Sequence, residues 1–192
     1  MNTETQNYES ERKILDSGNR REFASGAVRD IAEGKGRCDL LPLDCVSLFF
    51  KYLVKPEANY NFRKADACNS ILTFLSEVVR GRDVEKSIPI CINSFMEVAF
   101  EDKPGYALME LAKHYEQGAI KYKERNWEMG IPTHCYVDSC VRHLLKWYDG
   151  WDDEPHDRAV LWNLFGLWWT LRNKPEMNDL PWDKDGENND KC

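Results

Sequence analysis

The sequence predicts an all-α fold. Apolar residues recur at helical spacing, no run alternates convincingly at period two, and glycine or proline closes the periodic segments. "LDCVSLFFKYLV" (43–54) reads as a short helix ended by Pro56. "ADACNSILTFLSEVVRG" (65–81) reads as an amphipathic helix with a glycine stop. "IPICINSFMEVAFED" (88–102) is helical with a β-rich start. Three stronger helices are expected over 105–124, 134–149 and 156–173, separated by breaks at 130–132 and 150–155. Residues 1–20 read as a flexible polar arm, and 174–192 as a disordered acidic tail.

Helix phase says which polar residues face inward, at about 100° per residue. In "YALMELAKHYEQGAIKY", Leu108, Leu111, Ala112, Tyr115, Ala119 and Tyr122 form the apolar stripe. Glu116 flanks that stripe, while Glu110 and His114 are expected to point away. In the next helix Tyr136, Cys140, Leu144 and Trp147 face inward with His143 at their edge. Asn163 falls on the His156–Val160–Leu167 line of the last helix and needs a buried partner.

The 192 residues are 42% hydrophobic and 12% aromatic, enough for a sizeable core. With 33 acidic against 26 basic residues, the net charge of −7 disfavours a nucleic-acid polymer or an anionic membrane as partner. A small anionic substrate then needs a specific counter-charge, from an Arg/Lys cluster or a divalent metal. No apolar run reaches the roughly 18 residues of a membrane span, and the start lacks a signal pattern, so a cytoplasmic protein is expected. Seven cysteines without a C-x-x-C read as buried small hydrophobes. His134, Cys135, Cys140 and His143 raise zinc, but the two cysteines lie about 140° apart on one helix, a poor start for a tetrahedral site.

Three stretches carry candidate chemistry. "DDEPHDRAVLWN" (152–163) sets Glu154, Pro155 and Asp157 at a helix start, which capping alone explains. Asp149, Asp152 and Asp153 crowd the same turn, where like charges repel unless a cation such as Mg²⁺ or Mn²⁺ sits among them. "SGAVRDIAEGKGRCDLLP" (25–42) interleaves Gly26, Gly34 and Gly36 with Arg29, Lys35 and Arg37. That is either a phosphate-cradling loop or a solvated basic turn, and it is not a Walker A motif. In "KYKERNWEMG" (121–130), Asn126 and Trp127 could read and stack on a base, or Trp127 could fold back as a core lid.

Together "SGAVRD", "EGKGRCDLLP", "YEQGAIKYKERNWEMGIP" and "DSCVRHLLKWYDGWDDEPHDRAVLWN" resemble the phage-encoded dATP/dGTP diphosphohydrolase family, which belongs with or close to the all-α MazG-like nucleotide pyrophosphohydrolases. The resemblance covers 22–42 and 106–170. It implies one MazG-like helical domain over 21–173 with a helical insertion at 43–105. It also implies metal-dependent cleavage of purine deoxynucleoside triphosphates to monophosphate and pyrophosphate, in the host cytoplasm. The wider MazG-like pattern pairs E-x-x-E on one helix with E-x-x-D on a later one. Glu154 and Asp157 fit the second half, and Glu116 alone answers to the first.

On that resemblance Mg²⁺ (or Mn²⁺) is expected on Glu116, Asp149, Asp153, Glu154 and Asp157, with Glu116, His143 and His156 as catalytic or ligand-orienting groups. Ser25, Arg29, Lys35, Arg37 and Lys121 would meet the phosphates, and Asn126, Trp127 and Asn163 the base or sugar. The rival class is a non-catalytic phage protein that binds a nucleotide or a host protein. The last helix is apolar on nearly every side, and each large side chain left in water forgoes roughly 1.5–3 kcal/mol. A homo-oligomer, most simply a two-fold dimer with Trp162 or Trp169 at the contact, is therefore expected.

Overall fold

A computed structural model describes residues 17–31 and 60–180. The helix expected at 43–54 lies outside the described residues, as do Lys35 and Arg37. The fold is all-α, as the resemblance to the MazG-like enzymes implies. Its helices are α1 (Tyr60–Val79), α2 (Ile88–Ala99), α3 (Pro104–Tyr122), α4 (Thr133–Asp149) and α5 (His156–Asn173), with 3-10 turns at Asn126–Met129 and Pro175–Met177. Proline opens α2 and α3, where its missing N–H costs nothing. Gly150, at φ 76°, closes α4 in the left-handed conformation that glycine adopts without strain.

An antiparallel hairpin of α4 and α5 is the most extensive pairing. Tyr136, Val137, Cys140, Val141 and Leu144 meet Val160, Leu161, Leu164 and Leu167, all essentially inaccessible to water. At Gly166 the ring of Tyr136 comes so close that a Cβ would lie 2.4 Å from its Cε1. α1 packs on α4 and α2, and α3 lies against α5. Phe95 of α2 meets Trp147 of α4 edge to face at 4.9 Å. Lys64 of α1 donates to the carbonyls of Trp147 (2.8 Å) and Tyr148 (3.1 Å), satisfying acceptors that the end of α4 leaves open. Thus α1 and α2, read as part of an insertion, share the core of the last three helices.

Two features depart from the expected outline. Residues 20–30 form a small antiparallel hairpin, β1 (Arg20–Glu22) and β2 (Val28–Asp30), turning at Gly26 with φ 80°. Strands of three residues are too short to show a period of two. Nor is the segment 174–180 a disordered tail. Asp179 accepts from the hydroxyl of Thr133 (2.9 Å) and the backbone N–H of His134 (3.1 Å) at the start of α4, and Leu180 is buried. One carboxylate on an open helix start and one buried leucine suffice to hold an otherwise polar stretch.

The surplus apolar surface of α5 is largely covered within the chain. Trp162 sits among Tyr115, Tyr136 and His114, and Trp169 meets Trp127 edge to face at 4.9 Å. The argument that placed these two tryptophans at a dimer contact therefore loses its premise. Among the described residues, no helix is long and apolar enough to cross a membrane.

The Tyr136–Gly166 contact yields a prediction. Gly166→Ala should destabilise the protein by about 1–3 kcal/mol, because Tyr136 has no room to retreat. Denaturant melts of G166A and of G166A combined with Y136L test this. An unshifted midpoint in G166A, or no recovery in the double variant, would refute the close-packing account.

Candidate functional site

A cavity of about 410 Å³ opens between β2, α3, α4 and α5. The hairpin that roofs it is held mostly through main-chain atoms. Asn126 accepts from the Val28 N–H at 3.0 Å and donates to the Val28 carbonyl at 2.9 Å, behaving like an extra strand residue. The Ser25 hydroxyl donates to the Gly130 carbonyl at 2.5 Å, and the Tyr122 hydroxyl accepts from the Asp30 N–H at 3.2 Å. So anchored, β2 carries the Arg29 guanidinium over the rings of Trp162 (5.5 Å) and Tyr136 (5.7 Å). One Arg29 nitrogen is buried with no hydrogen-bond partner among the described residues.

Side chains of both signs line the space. Arg21, Arg29, Lys121, Arg142 and Lys146 outweigh Asp30, Asp138 and Glu154, so an acidic chain presents a cationic cavity. Lys121 lies 3.7 Å from Asp30, and Arg142 pairs with Asp138 one turn earlier. Besides Arg21 and Arg29, two more lining residues hold a buried polar atom with no hydrogen-bond partner among the described residues. Asn163, 2% exposed, donates its amide hydrogens to the Ala159 carbonyl (2.7 Å) and the Ser139 hydroxyl (3.3 Å), leaving its oxygen unmatched. His114 presents Nδ1. Buried atoms of this kind call for a ligand or water.

Next to the cationic side, the α4–α5 turn gathers a second group. His143 Nδ1 lies 2.9 Å from His156 Nδ1 and 3.6 Å from a Glu154 oxygen, and the three ligand atoms fit within 4.8 Å. His156 Nε2 meets an Asp153 oxygen at 2.8 Å, and Lys146 donates to the other at 2.7 Å. Burial, then the neighbouring His156, His114, Arg142 and Lys146, pushes His143 well below the usual histidine value. Although burial acts the other way, hydrogen bonds from Lys146 and His156 hold Asp153 below the usual carboxylate range. With Nε2–H given to Asp153, His156 turns the lone pair of Nδ1 toward His143 and Glu154. A carboxylate fixing the far nitrogen of a histidine is how metal-bound imidazoles are oriented. The donor set fits a divalent ion, and two nitrogens with one oxygen suit a borderline transition metal better than Mg²⁺.

Several expected site residues stand elsewhere. α3 is rotated from its expected phase: Glu116 is exposed, whereas Glu110 and His114 are buried at 4% and 8% exposure. Glu110 reaches Arg158 at 2.5 Å, so an ion pair, invisible to a hydrophobic stripe, takes the inward face. Asp149 is exposed, and Asp157 accepts from the Arg158 N–H at 2.8 Å, as a helix-start acid does. Neither reaches the histidine cluster. Asn126 and Ser25 spend their polar atoms on backbone. Trp127 is a core lid against Tyr115 and Trp169. Arg29, Lys121, Asn126, His143, Glu154 and Asn163 do line one cavity, with His156 behind them, although the Asn126 amide is engaged by the Val28 backbone. Sequence reasoning missed His114, Asp138, Arg142 and Lys146, although the i, i+4 spacing of the last three marks one polar face of α4.

His114 gives a pH prediction. Burial, then Arg158 and Lys121, pushes it down to about 3, whereas the unfolded imidazole keeps about 6.5. Below pH 6.5 the unfolded chain binds a proton that the folded chain refuses, so stability falls as pH drops from 6.5 toward 3. Thermal melts at pH 7 and pH 4.5 should show a smaller acid loss in His114→Gln than in wild type. Equal losses would refute the assignment.

Residues 94–180 match the family model described as dATP/dGTP diphosphohydrolase, N-terminal. No curated protein and no solved structure matches the chain. The match begins within α2, inside the stretch read as an insertion, and leaves out 22–42. It takes in α3, α4, α5 and the histidine cluster. Over residues 94–180 this chain is therefore similar to the N-terminal part of the dATP/dGTP diphosphohydrolase family.

Proposed function

We propose that this chain hydrolyses purine deoxynucleoside triphosphates, dATP or dGTP, to the monophosphate and pyrophosphate with a divalent metal, in phage nucleotide metabolism. The observation that carries the reading is one cavity in which a cationic lining meets the His143, Glu154 and His156 cluster. A polyphosphate needs cations, and its hydrolysis asks the protein mainly for positioning and charge stabilisation.

His143, Glu154 and His156 would hold the ion, and Asp153 would fix the tautomer of His156. Once bound, the ion neutralises phosphate charge and lowers the pKa of a water molecule. Arg29, held over two aromatic faces, turns its unmatched N–H to a phosphate oxygen, with Lys121, Arg142 and Lys146 adding positive charge along the same wall. Glu154 is the carboxylate of the cluster that lines the cavity, and it takes the proton of the attacking water. The unmatched oxygen of Asn163 accepts from a ring or exocyclic N–H, which adenine and guanine both offer. His114, neutral at physiological pH, adds a second contact.

Two predictions test this reading. Wild-type protein with dGTP and Mn²⁺ should release dGMP and pyrophosphate, resolved by ion-exchange chromatography, and a chelator should stop the reaction. Binding without product would support the rival binding protein, and dGDP with phosphate would mean another cleavage position. Asp153→Asn should lower metal affinity or turnover by about 10–100-fold, because it frees the tautomer of His156. Asp157→Asn should stay near wild type. The opposite ranking would return the metal to the helix-start carboxylates.

A further inference from the structure

The same cavity carries a cluster that hydrolysis does not use. Cys135, in the first turn of α4, lines the cavity wall and is otherwise buried at 3% exposure. Its sulfur lies 3.3 Å from His134 Nε2 and 3.2 Å from a terminal guanidinium nitrogen of Arg21. The other ring nitrogen of His134, Nδ1, bonds the carboxylate of Asp179. Both ring nitrogens thus face acceptors, an arrangement that an imidazolium satisfies by donating two N–H groups. Burial opposes that charge, but the hydrogen bonds to Asp179 and Cys135 outweigh it and raise His134 to about 9. The open N–H groups at the start of α4 add partial positive charge near the sulfur. Arg21, His134 and the start of α4 thus place hydrogen-bond donors and positive charge around the Cys135 sulfur.

The other cysteines among the described residues are built differently. Burial pushes Cys68 and Cys91 up to about 12 and raises Cys140 well above the usual thiol value, which leaves these three inert. The call for a ligand in this cavity is independent of the thiol, since Asn163 and His114 also line it and each keeps a buried polar atom with no hydrogen-bond partner among the described residues.

We propose that Cys135 is a redox-modification site: a cavity-lining thiol held by Arg21 and the His134–Asp179 pair that reacts with a hydroperoxide entering the cavity and thereby blocks nucleotide binding. The sulfur attacks one peroxide oxygen. An S–O bond forms and the O–O bond breaks; His134 gives a proton to the departing oxygen, which leaves as water when the oxidant is hydrogen peroxide, and takes up the thiol proton in turn. Cysteine is oxidised to sulfenic acid and the hydroperoxide is reduced. The modification itself rests on the cavity geometry, and only its effect on binding rests on the nucleotide reading.

The test treats the reduced full-length protein with hydrogen peroxide in the presence of dimedone and follows each cysteine by peptide mass mapping. The adduct at Cys135 should form at least about tenfold faster than at Cys68, Cys91 or Cys140. Arg21→Gln should slow it, and Asp179→Asn should slow it further. Because Asp179 also holds the chain end on α4, Arg21→Gln keeps the test readable if the other variant unfolds. Rates at Cys135 no faster than at the three buried thiols would overturn the proposal, as would undiminished labelling in Arg21→Gln. Peroxide should also abolish dGTP binding in wild type and spare it in Cys135→Ser, measured by calorimetry in a chelator. If untreated protein binds no dGTP, the nucleotide reading fails while the labelling rates still decide the modification.

Discussion

The close approach of α4 and α5 is the constraint on which the rest of the molecule depends. Gly166 has no side chain, so the Tyr136 ring lies directly on its backbone and the two helices settle at a short separation. That separation brings His143 to within 2.9 Å of His156 across the turn and lets Ser139 and Ala159 bond the Asn163 amide. The same packing exposes one face of Tyr136 and Trp162 to Arg29. A spacing set by two residues therefore fixes the His143–Glu154–His156 cluster, the amide and the aromatic floor together, because close-packed interiors transmit shape changes of a single carbon.

Electrostatically, the cavity works against the chain as a whole. A net charge of −7 repels a polyanion, and the cavity answers with cations held by partners rather than left loose: Lys121 by Asp30, Arg142 by Asp138, Lys146 by Asp153. Each pairing limits the repulsion among like charges in the empty cavity and still leaves a positive excess. His143 and His114 stay neutral for the opposite reason, since burial and these same cations make a further positive charge costly. A neutral imidazole is the form that binds metal, so the state of His143 agrees with the proposed ion site.

The sequence made the helices legible because their boundaries rest on local chemistry, and the ends of the last three fall within two residues of the periodic pattern and its glycine and proline breaks. The rotation of α3 was not legible. Glu110 and His114 go inside because Arg158 and Trp162 of another helix receive them, and a single-helix stripe carries no trace of that pairing. Asn126 and Trp127 were legible as unusual residues in a loop, but not their use, since a backbone grip and an aromatic lid depend on what folds over them. The carboxylate crowd at 149–157 divides by position along a turn: Glu154 turns into the cavity, Asp153 takes a histidine, and Asp157 stays at the helix start.

The manner in which the hairpin is attached has an evolutionary consequence. Asn126, inside the family segment, grips the N–H and carbonyl of Val28, groups that nearly every amino acid supplies. The hairpin lies outside that segment and yet delivers Arg21 and Arg29 to the cavity. Selection can therefore exchange hairpin side chains one at a time without loosening the anchorage. The family segment carries the His143–Glu154–His156 cluster, while the hairpin is a roof whose side chains can change without touching that cluster.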